Sequence, residues 1–154
     1  MAETHPIIKK LQFKDFGQSV LIVNAPESYN EITAAFQGEV HDRAENGKYD
    51  FVQVFGTANE DLQASAREAE HHMAEDGLFW LCYPKKSSKV YKGSDCSRET
   101  VAALLADQGY EPVRQIAIDD DWSALRFRKA ENIKKMKRKF AVTEKGKQRT
   151  GKES

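Results

Sequence analysis

Lys85-Lys86-Ser87-Ser88-Lys89 places three ammonium groups and two hydroxyls in one short stretch. Ammonium groups supply positive charge and serine hydroxyls supply directed donors, a combination suited to an anion such as a phosphate. The stretch directly follows Leu78-Phe79-Trp80-Leu81-Cys82-Tyr83-Pro84, an apolar run that reads as an interior strand. In chains of alternating strands and helices, ligands sit outside the C-terminal ends of the strands. Pro84, Lys85, Lys86, Ser87, Ser88 and Lys89 are therefore the foremost candidate ligand site, and a solvated loop is the competing reading. Asn24, past the first strand, Gly56, past the third, and Trp122 and Ser123, at the start of the last, are candidates to line the same crevice.

Other groups capable of chemistry lack partners in the sequence. His71 and His72 are adjacent on a helix, so their side chains diverge by about 100° and miss the i,i+4 spacing of a zinc site. No partner is identifiable for His5 or His41. Asp119-Asp120-Asp121 offers three acids in a row but no calcium-loop spacing follows, so it reads as a polar hairpin turn. Cys82 lies mid-strand and reads as a small buried hydrophobe. Cys96 precedes a helix N-terminus, a position that can lower a thiol pKa. With no base in view, a structural thiol is the preferred reading. No Ser-His-Asp or Cys-His arrangement emerges, no metal site is expected, and neither a catalytic residue nor a cofactor is identified.

Charge divides the chain. Residues 1–128 carry 14 Lys and Arg against 21 Asp and Glu, and residues 129–154 carry 10 against 3. An acidic body with a basic tail suggests an interaction tail. From Ala130 to Phe140 a helix would align Ile133, Met136 and Phe140, with Lys134, Lys135, Lys137, Arg138 and Lys139 around the remainder. Such a helix suits nucleic acid, an acidic protein or an anionic membrane surface, or it docks on the acidic body. Residues 141–154 are expected to be disordered. No apolar run approaches the ~20 residues of a membrane helix. The N-terminus lacks a basic segment followed by an apolar one, so the protein is read as cytoplasmic.

The elements that must position these groups follow from periodicity. Val20-Leu21-Ile22-Val23-Asn24-Ala25-Pro26 is an apolar run closed by proline, as in a strand buried on both faces. Ser28 and Glu31 have capping-box spacing before a short helix bearing Ile32, Ala35 and Phe36. Residues 39–43 read as a short second strand and Tyr49–Gly56 as a third. Thr57 and Glu60 repeat the capping-box spacing ahead of a long helix with Leu62, Ala66, Ala69 and Met73 on one stripe, ending near Gly77. Ser97 caps a helix whose Val101, Leu104 and Leu105 face inward and which Gly109 ends. Residues 111–118 and 122–128 read as two alternating strands. In the last, Trp122, Ala124 and Arg126 share one face, and Ser123, Leu125 and Phe127 the other.

The order β-α-β-β-α-β-α-β-β argues for a single α/β domain over residues 1–128, with a mostly parallel sheet flanked by helices and a closing antiparallel hairpin strand. Residues 129–154 form a basic extension. This order resembles the sheet of Rossmann-like methyltransferases, and Gly77-Leu78-Phe79-Trp80-Leu81 resembles their strand that follows a helix and a glycine turn. Four blocks also resemble a family of short bacterial proteins classed as a domain of unknown function. They are Val20–Glu27, Trp80–Ser88, Ser97–Val101 and Ile118–Phe127, and they span roughly residues 15–128. The resemblance implies the fold and carries over no catalytic residue. The tail lies beyond it.

The departures from the methyltransferase pattern are specific. The turn after the first strand is Asn24-Ala25-Pro26-Glu27-Ser28, without glycine, and proline removes an amide donor. No G-x-G-x-x-G or Walker A pattern is present. Asp42 or Glu45 would be the acidic ribose ligand. The expected function is a non-catalytic module that binds an anionic partner, nucleic acid among the candidates, through the strand-end loop or the tail. The alternative is a divergent S-adenosylmethionine-dependent methyltransferase-like enzyme, or a binder of a nucleotide or phosphorylated ligand.

Overall fold

A computed structural model of the chain describes residues 5–45 and 47–133. Lys134, Lys135, Lys137, Arg138 and Lys139 lie outside the described residues. Residues 130–133 are helical, where the chain leaves the final strand.

Six strands make one sheet in the order β2-β1-β3-β4-β6-β5. They are β1 (Val20–Val23), β2 (Val40–His41), β3 (Tyr49–Phe55), β4 (Met73–Pro84), β5 (Tyr110–Ala117) and β6 (Trp122–Lys129). Strands β2, β1, β3 and β4 pair in parallel, and β6 runs antiparallel between β4 and β5. Chain direction thus reverses at β6, as the closing hairpin requires. Within residues 5–129 four α-helices flank the sheet: α1 (Pro6–Lys10), α2 (Asn30–Ala34), α3 (Asn59–Glu70) and α4 (Arg98–Ala102).

The strand alternation sorts the core into two layers. One face carries Ile22, Phe51, Phe55, Trp80, Cys82, Trp122 and Ala124 against Ile8, Leu11, Tyr29 and Ile32. The other carries Leu21, Val52, Val54, Phe79, Leu81, Leu125 and Phe127 against Leu62, Ala66, Val101 and Leu105. Trp80 is fully buried and donates its indole N–H to the Leu11 carbonyl at 3.2 Å, which ties the segment after α1 to the sheet centre. Burying an aromatic side chain of about 200 Å² contributes about 5 kcal/mol on the area scale.

Ser97 caps α4 as expected: its hydroxyl accepts from Thr100 N at 3.2 Å while Thr100 Oγ1 accepts from Ser97 N at 2.9 Å. Gly109 has φ +85°, the left-handed conformation that glycine adopts without steric cost.

The structure departs from or adds to the sequence reading in four places. Helix α1 was not anticipated; Pro6 stands in its first turn and His5 Nδ1 accepts from Ile7 N at 3.1 Å. Neither Ser28 nor Thr57 caps a helix: a 3-10 turn at Glu27–Tyr29 leads into α2, and Ala58 precedes α3. Met73 does not extend α3. That helix stops at Glu70, and Met73 opens the twelve-residue β4 beside Tyr49. Finally, β4 carries a register shift against Tyr49 and Phe51, with Asp76 at φ +55°. Arg128 Nε donates to Asp76 Oδ1 at 2.9 Å and anchors that irregular stretch.

Among the described residues no helix is long and apolar enough to cross a membrane.

Candidate functional site

The residues that end β1, β3 and β4 lie along the C-terminal edge of the parallel strands. Gly56 follows β3 where α3 packs closely: a Cβ there would lie 2.8 Å from Leu62 Cβ. Its amide donates to the Cys82 carbonyl at 3.1 Å. Gly56 is therefore a packing glycine that lets α3 lie against the sheet.

Asn24 ends β1 in the left-handed conformation, φ +61°. This is the backbone turn that glycine usually provides, and Asn tolerates it better than most residues. The Asn24 amide Nδ2 donates to Ser65 Oγ on α3 at 3.3 Å. Beside them runs a groove of about 660 Å³, bounded by β1, the segment after β2 and α3. Asn24 and Asp42 line it together with the apolar Val23 and Ala44. Parallel pairing of Val20 with Val40 and Leu21 with His41 carries Asp42 to the same end of the sheet as Asn24. Gly56, Pro84, Lys85 and Trp122 do not line this groove.

The Lys85–Lys89 loop is built around Ser88, which is buried. The Ser88 hydroxyl donates to Asp121 Oδ1 at 2.8 Å and accepts from Val90 N at 3.2 Å and Tyr91 N at 3.1 Å. Lys85 N donates to the Asp121 carbonyl at 2.8 Å. Lys86, Ser87 and Lys89 are exposed. The strand-end loop is thus fastened to the acidic hairpin, with a carboxylate among its lysines. Asp119 Oδ1 in turn accepts from Asp121 N and Trp122 N, both at 2.9 Å, so the hairpin acids organise a turn. Pro84 is buried beside Trp122, its register partner. Trp122 packs edge-on against Phe55 (5.2 Å) and Tyr91 (5.0 Å), and its indole N–H is buried without a partner among the described residues. Ser123 is buried on the opposite sheet face.

The N-terminus of α3, which carries positive dipole character, is filled from within the chain. Asn59 N donates to Asp95 Oδ1 at 2.8 Å, and Asn59 Nδ2 to the Asp95 carbonyl at 2.9 Å. Thr100 Oγ1 donates to Asn59 Oδ1 at 2.9 Å, joining the starts of α3 and α4.

Sequence reasoning missed two polar chains. Tyr29 Oη donates to Gln53 Oε1 at 2.8 Å and Gln53 Nε2 to Cys82 Sγ at 3.2 Å, all inside the core. Burial pushes both the Tyr29 phenol and the Cys82 thiol well above their ordinary ranges. Tyr49 Oη accepts from Glu45 N at 3.0 Å, which leaves its own proton for His41 Nδ1, 2.6 Å away. His41 Nε2 lies 3.0 Å from Glu39 Oε1. His41 therefore has partners after all, and they are brought together by the pairing of three strands. Burial also raises the Cys96 thiol, opposite to the direction a helix N-terminus would give. No group of three or more potential metal ligands occurs among the described residues.

At the opposite end of the sheet a cavity of about 470 Å³ is lined by Glu70, Asp76, Tyr110, Arg128 and Lys129. Several of these groups pair with one another: Tyr110 Oη donates to Glu70 Oε2 at 3.2 Å, Lys129 Nζ lies 3.9 Å from the same oxygen, and Arg128 holds Asp76.

No protein-family model matches the sequence, and no curated protein matches it significantly. Solved structures do resemble the fold. The mitomycin 7-O-methyltransferase MmcR superposes with a TM-score of 0.56 at 11% identity, covering 79% of this chain and 52% of MmcR. A SAM-dependent methyltransferase from Aquifex aeolicus gives a TM-score of 0.53 at 14% identity, covering 79% of this chain and 86% of that one. The B. subtilis M1A22 tRNA methyltransferase TrmK gives 0.51 at 6% identity, with 84% and 67% covered. The chain thus spans about half the length of MmcR. These likenesses show a methyltransferase-like fold.

Proposed function

We propose that this chain is a divergent methyltransferase-like domain that binds S-adenosylmethionine, or a nucleoside closely related to it, in the groove between β1, β2 and α3. The observation that carries this reading is the meeting of Asn24 and Asp42 in one groove, at the ends of adjacent parallel strands. In dinucleotide-binding sheets an acidic residue about 20 residues beyond the first strand's turn takes the ribose hydroxyls; Asp42 follows Asn24 by 18. At about 660 Å³ the groove falls within the ordinary range for small-molecule sites.

The residues fit a nucleoside better than a nucleotide. A phosphate needs free amides and a helix N-terminus. Here Pro26 removes one amide from the β1 turn, and Asp95 already occupies the start of α3. S-adenosylmethionine has a ribose, no phosphate and a cationic sulfonium. Asp42 would accept from the ribose hydroxyls, Asn24 would hold the turn, and Val23 and Ala44 would contact the base. When bound, the ligand supplies an electrophilic methyl group; this chain's part is to bind and orient it.

Calorimetry on the full chain with S-adenosylmethionine, S-adenosylhomocysteine, adenosine and ATP tests the reading. The expected result is saturable binding of the adenosyl ligands, weakened about tenfold by Asp42→Asn, in keeping with the loss of a charge-assisted hydrogen bond of about 1.5 kcal/mol. Preference for ATP over adenosine, lost on replacing Lys85 and Lys86, would instead place the site in the strand-end loop. Silence with all four ligands would end the nucleoside reading.

A further inference from the structure

Strands β5 and β6 pair Pro112 with Phe127 and then Arg114 with Arg126, so Val113 is the extra residue of a bulge. Without the bulge, Arg114 would stand opposite Leu125. With it, two arginines stand opposite each other on the same face of neighbouring strands. Bulges re-aim side chains, and like charges directly opposite on a sheet destabilise it. Arg126 also pairs with Trp80, so the two arginines are level with the middle of the sheet. Their face is the one covered by α1 and the turn after it, where Trp80 donates to the Leu11 carbonyl.

The surroundings supply little negative charge. Arg126 is half-buried, and its Nε is enclosed without a partner among the described residues. Its Nη1 donates to a neutral acceptor, Gln12 Oε1, at 3.3 Å. Gln12 itself stands at φ +65°, a sparsely populated region for a residue with a side chain, and such strain collects at ligand sites. Burial first, then the neighbouring Arg128 and Arg114, lower the Arg126 pKa, while Asp76 acts the other way. That carboxylate is already held by Arg128. The Arg114 side chain is exposed and makes no ion pair among the described residues. Two positive charges thus stand together with no carboxylate paired to either among the described residues.

We propose that Arg114 and Arg126 together bind a small dicarboxylate. Each guanidinium is a planar fork that matches a carboxylate with two parallel hydrogen bonds. Repulsion holds the two heads apart, so one small anion midway meets neither fork squarely. Two carboxylates on a short carbon chain can each take one fork, and their two negative charges balance the pair. Gln12 steadies the Arg126 fork, while Arg114, on an exposed side chain, closes on the ligand from the solvent side. Linking the carboxylates makes the second contact intramolecular, which strengthens binding beyond that of either alone. The Asn24–Asp42 groove opens on the opposite sheet face, against Leu21 and Ala69, so the two sites stand or fall separately.

The test is an NMR titration of the full chain with succinate, glutarate, acetate and inorganic phosphate, following the arginine Nε–H signals. Succinate or glutarate is expected to shift the Arg126 signal saturably, with an affinity at least about tenfold above that of acetate. Arg114→Ala, at an exposed position, should keep the fold and remove that advantage, leaving the dicarboxylates level with acetate. Arg114→Glu should set a carboxylate opposite Arg126, raise the melting temperature and abolish dicarboxylate binding. Phosphate binding more tightly than either dicarboxylate would overturn the two-headed ligand. Silence with every anion, equal affinities for acetate and the dicarboxylates, or an advantage that survives Arg114→Ala would overturn the paired site. A lower melting temperature for Arg114→Glu would mean that the arginines are already compensated, and the site would fall with it.

Discussion

The carboxylate of Asp95 sits 2.8 Å from the first amide of α3, that of Asn59, although the two residues are 36 positions apart in the chain. A side chain from the loop before α4 thus does the work that Thr57 was expected to do locally. The loop between β4 and α4 is consequently fixed to the start of α3.

Removing this cap should cost stability and open an anion site. Asp95→Ala is expected to destabilise the fold by about 1 kcal/mol, the usual size of an N-cap loss. It should also make the melting temperature rise with added phosphate, because the vacated amides then face an ion in solution. Thermal melts of wild type and variant, with and without 50 mM phosphate (on the order of a typical buffer concentration), check both effects. A variant indifferent to phosphate would show that Asp95 fills no anion-competent position.

Gly56 is expected to resist even the smallest enlargement. Gly56→Ala puts a methyl group 2.8 Å from Leu62 Cβ. Overpacking of this kind costs about 1–3 kcal/mol. The clash involves the backbone-proximal part of Leu62, so Leu62→Ala should recover only part of the loss. Urea denaturation of the two single variants and the double variant measures the coupling. Full additivity would mean that α3 shifts outward instead.

The Ser88–Asp121 pair fastens the strand-end loop to the hairpin, and the two residues should couple. Ser88→Ala leaves the Val90 and Tyr91 amides without their acceptor and Asp121 without its donor, a loss of about 1–3 kcal/mol. Asp121→Ala alone should cost less, because the Ser88 hydroxyl keeps both amides. A double-mutant cycle is expected to give a coupling of about 1 kcal/mol. Zero coupling would show that the loop is held by its backbone bonds alone.

Alkaline conditions should destabilise the fold earlier than neutral ones. Burial raises Tyr29 above its ordinary 10.0 and Cys82 above its ordinary 9.0. Above about pH 9 the unfolded chain therefore releases protons that the folded chain retains. The stability from these groups is complete below that pH and declines above it, by up to about 1.4 kcal/mol per pH unit for each group. Urea unfolding under reducing conditions from pH 8 to 10.5 (a window spanning about the ordinary Cys and Tyr range) should show a falling midpoint. A flat midpoint would mean that these groups ionise without unfolding.

Much of this architecture can be read from local pattern. The Val20–Val23 run, the Ser97 cap and the alternation from Trp122 to Phe127 all depend on neighbours in sequence, and each appears in the fold. The errors arise where distant chain competes. Met73 continues the apolar stripe of α3, but pairing with Tyr49 draws it into β4. Thr57 has the right spacing for a cap, but Asp95 reaches the amide first.

The site was harder to read for the same reason. Composition marked the Lys85–Lys89 loop, yet no local feature reveals that the Ser88 hydroxyl turns inward to Asp121. Sequence leaves Asp42 and Glu45 as alternatives, and only the pairing of β1 with β2 brings Asp42 into one groove with Asn24. The Arg114–Arg126 pairing depends on a single inserted residue, and alternation alone puts those side chains on different neighbours.

Strand β5 is an outer strand of the sheet. Its outer edge, unpaired among the described residues, would ordinarily offer a row of amides and carbonyls on which another copy of the chain could add a strand. Pro112 lacks the amide, Val113 breaks the regular spacing, and the exposed charges of Glu111 and Arg114 flank them. The irregularity in β5 thus also guards the molecule against open-ended self-association, an aggregation risk that a straight, uninterrupted β5 would carry.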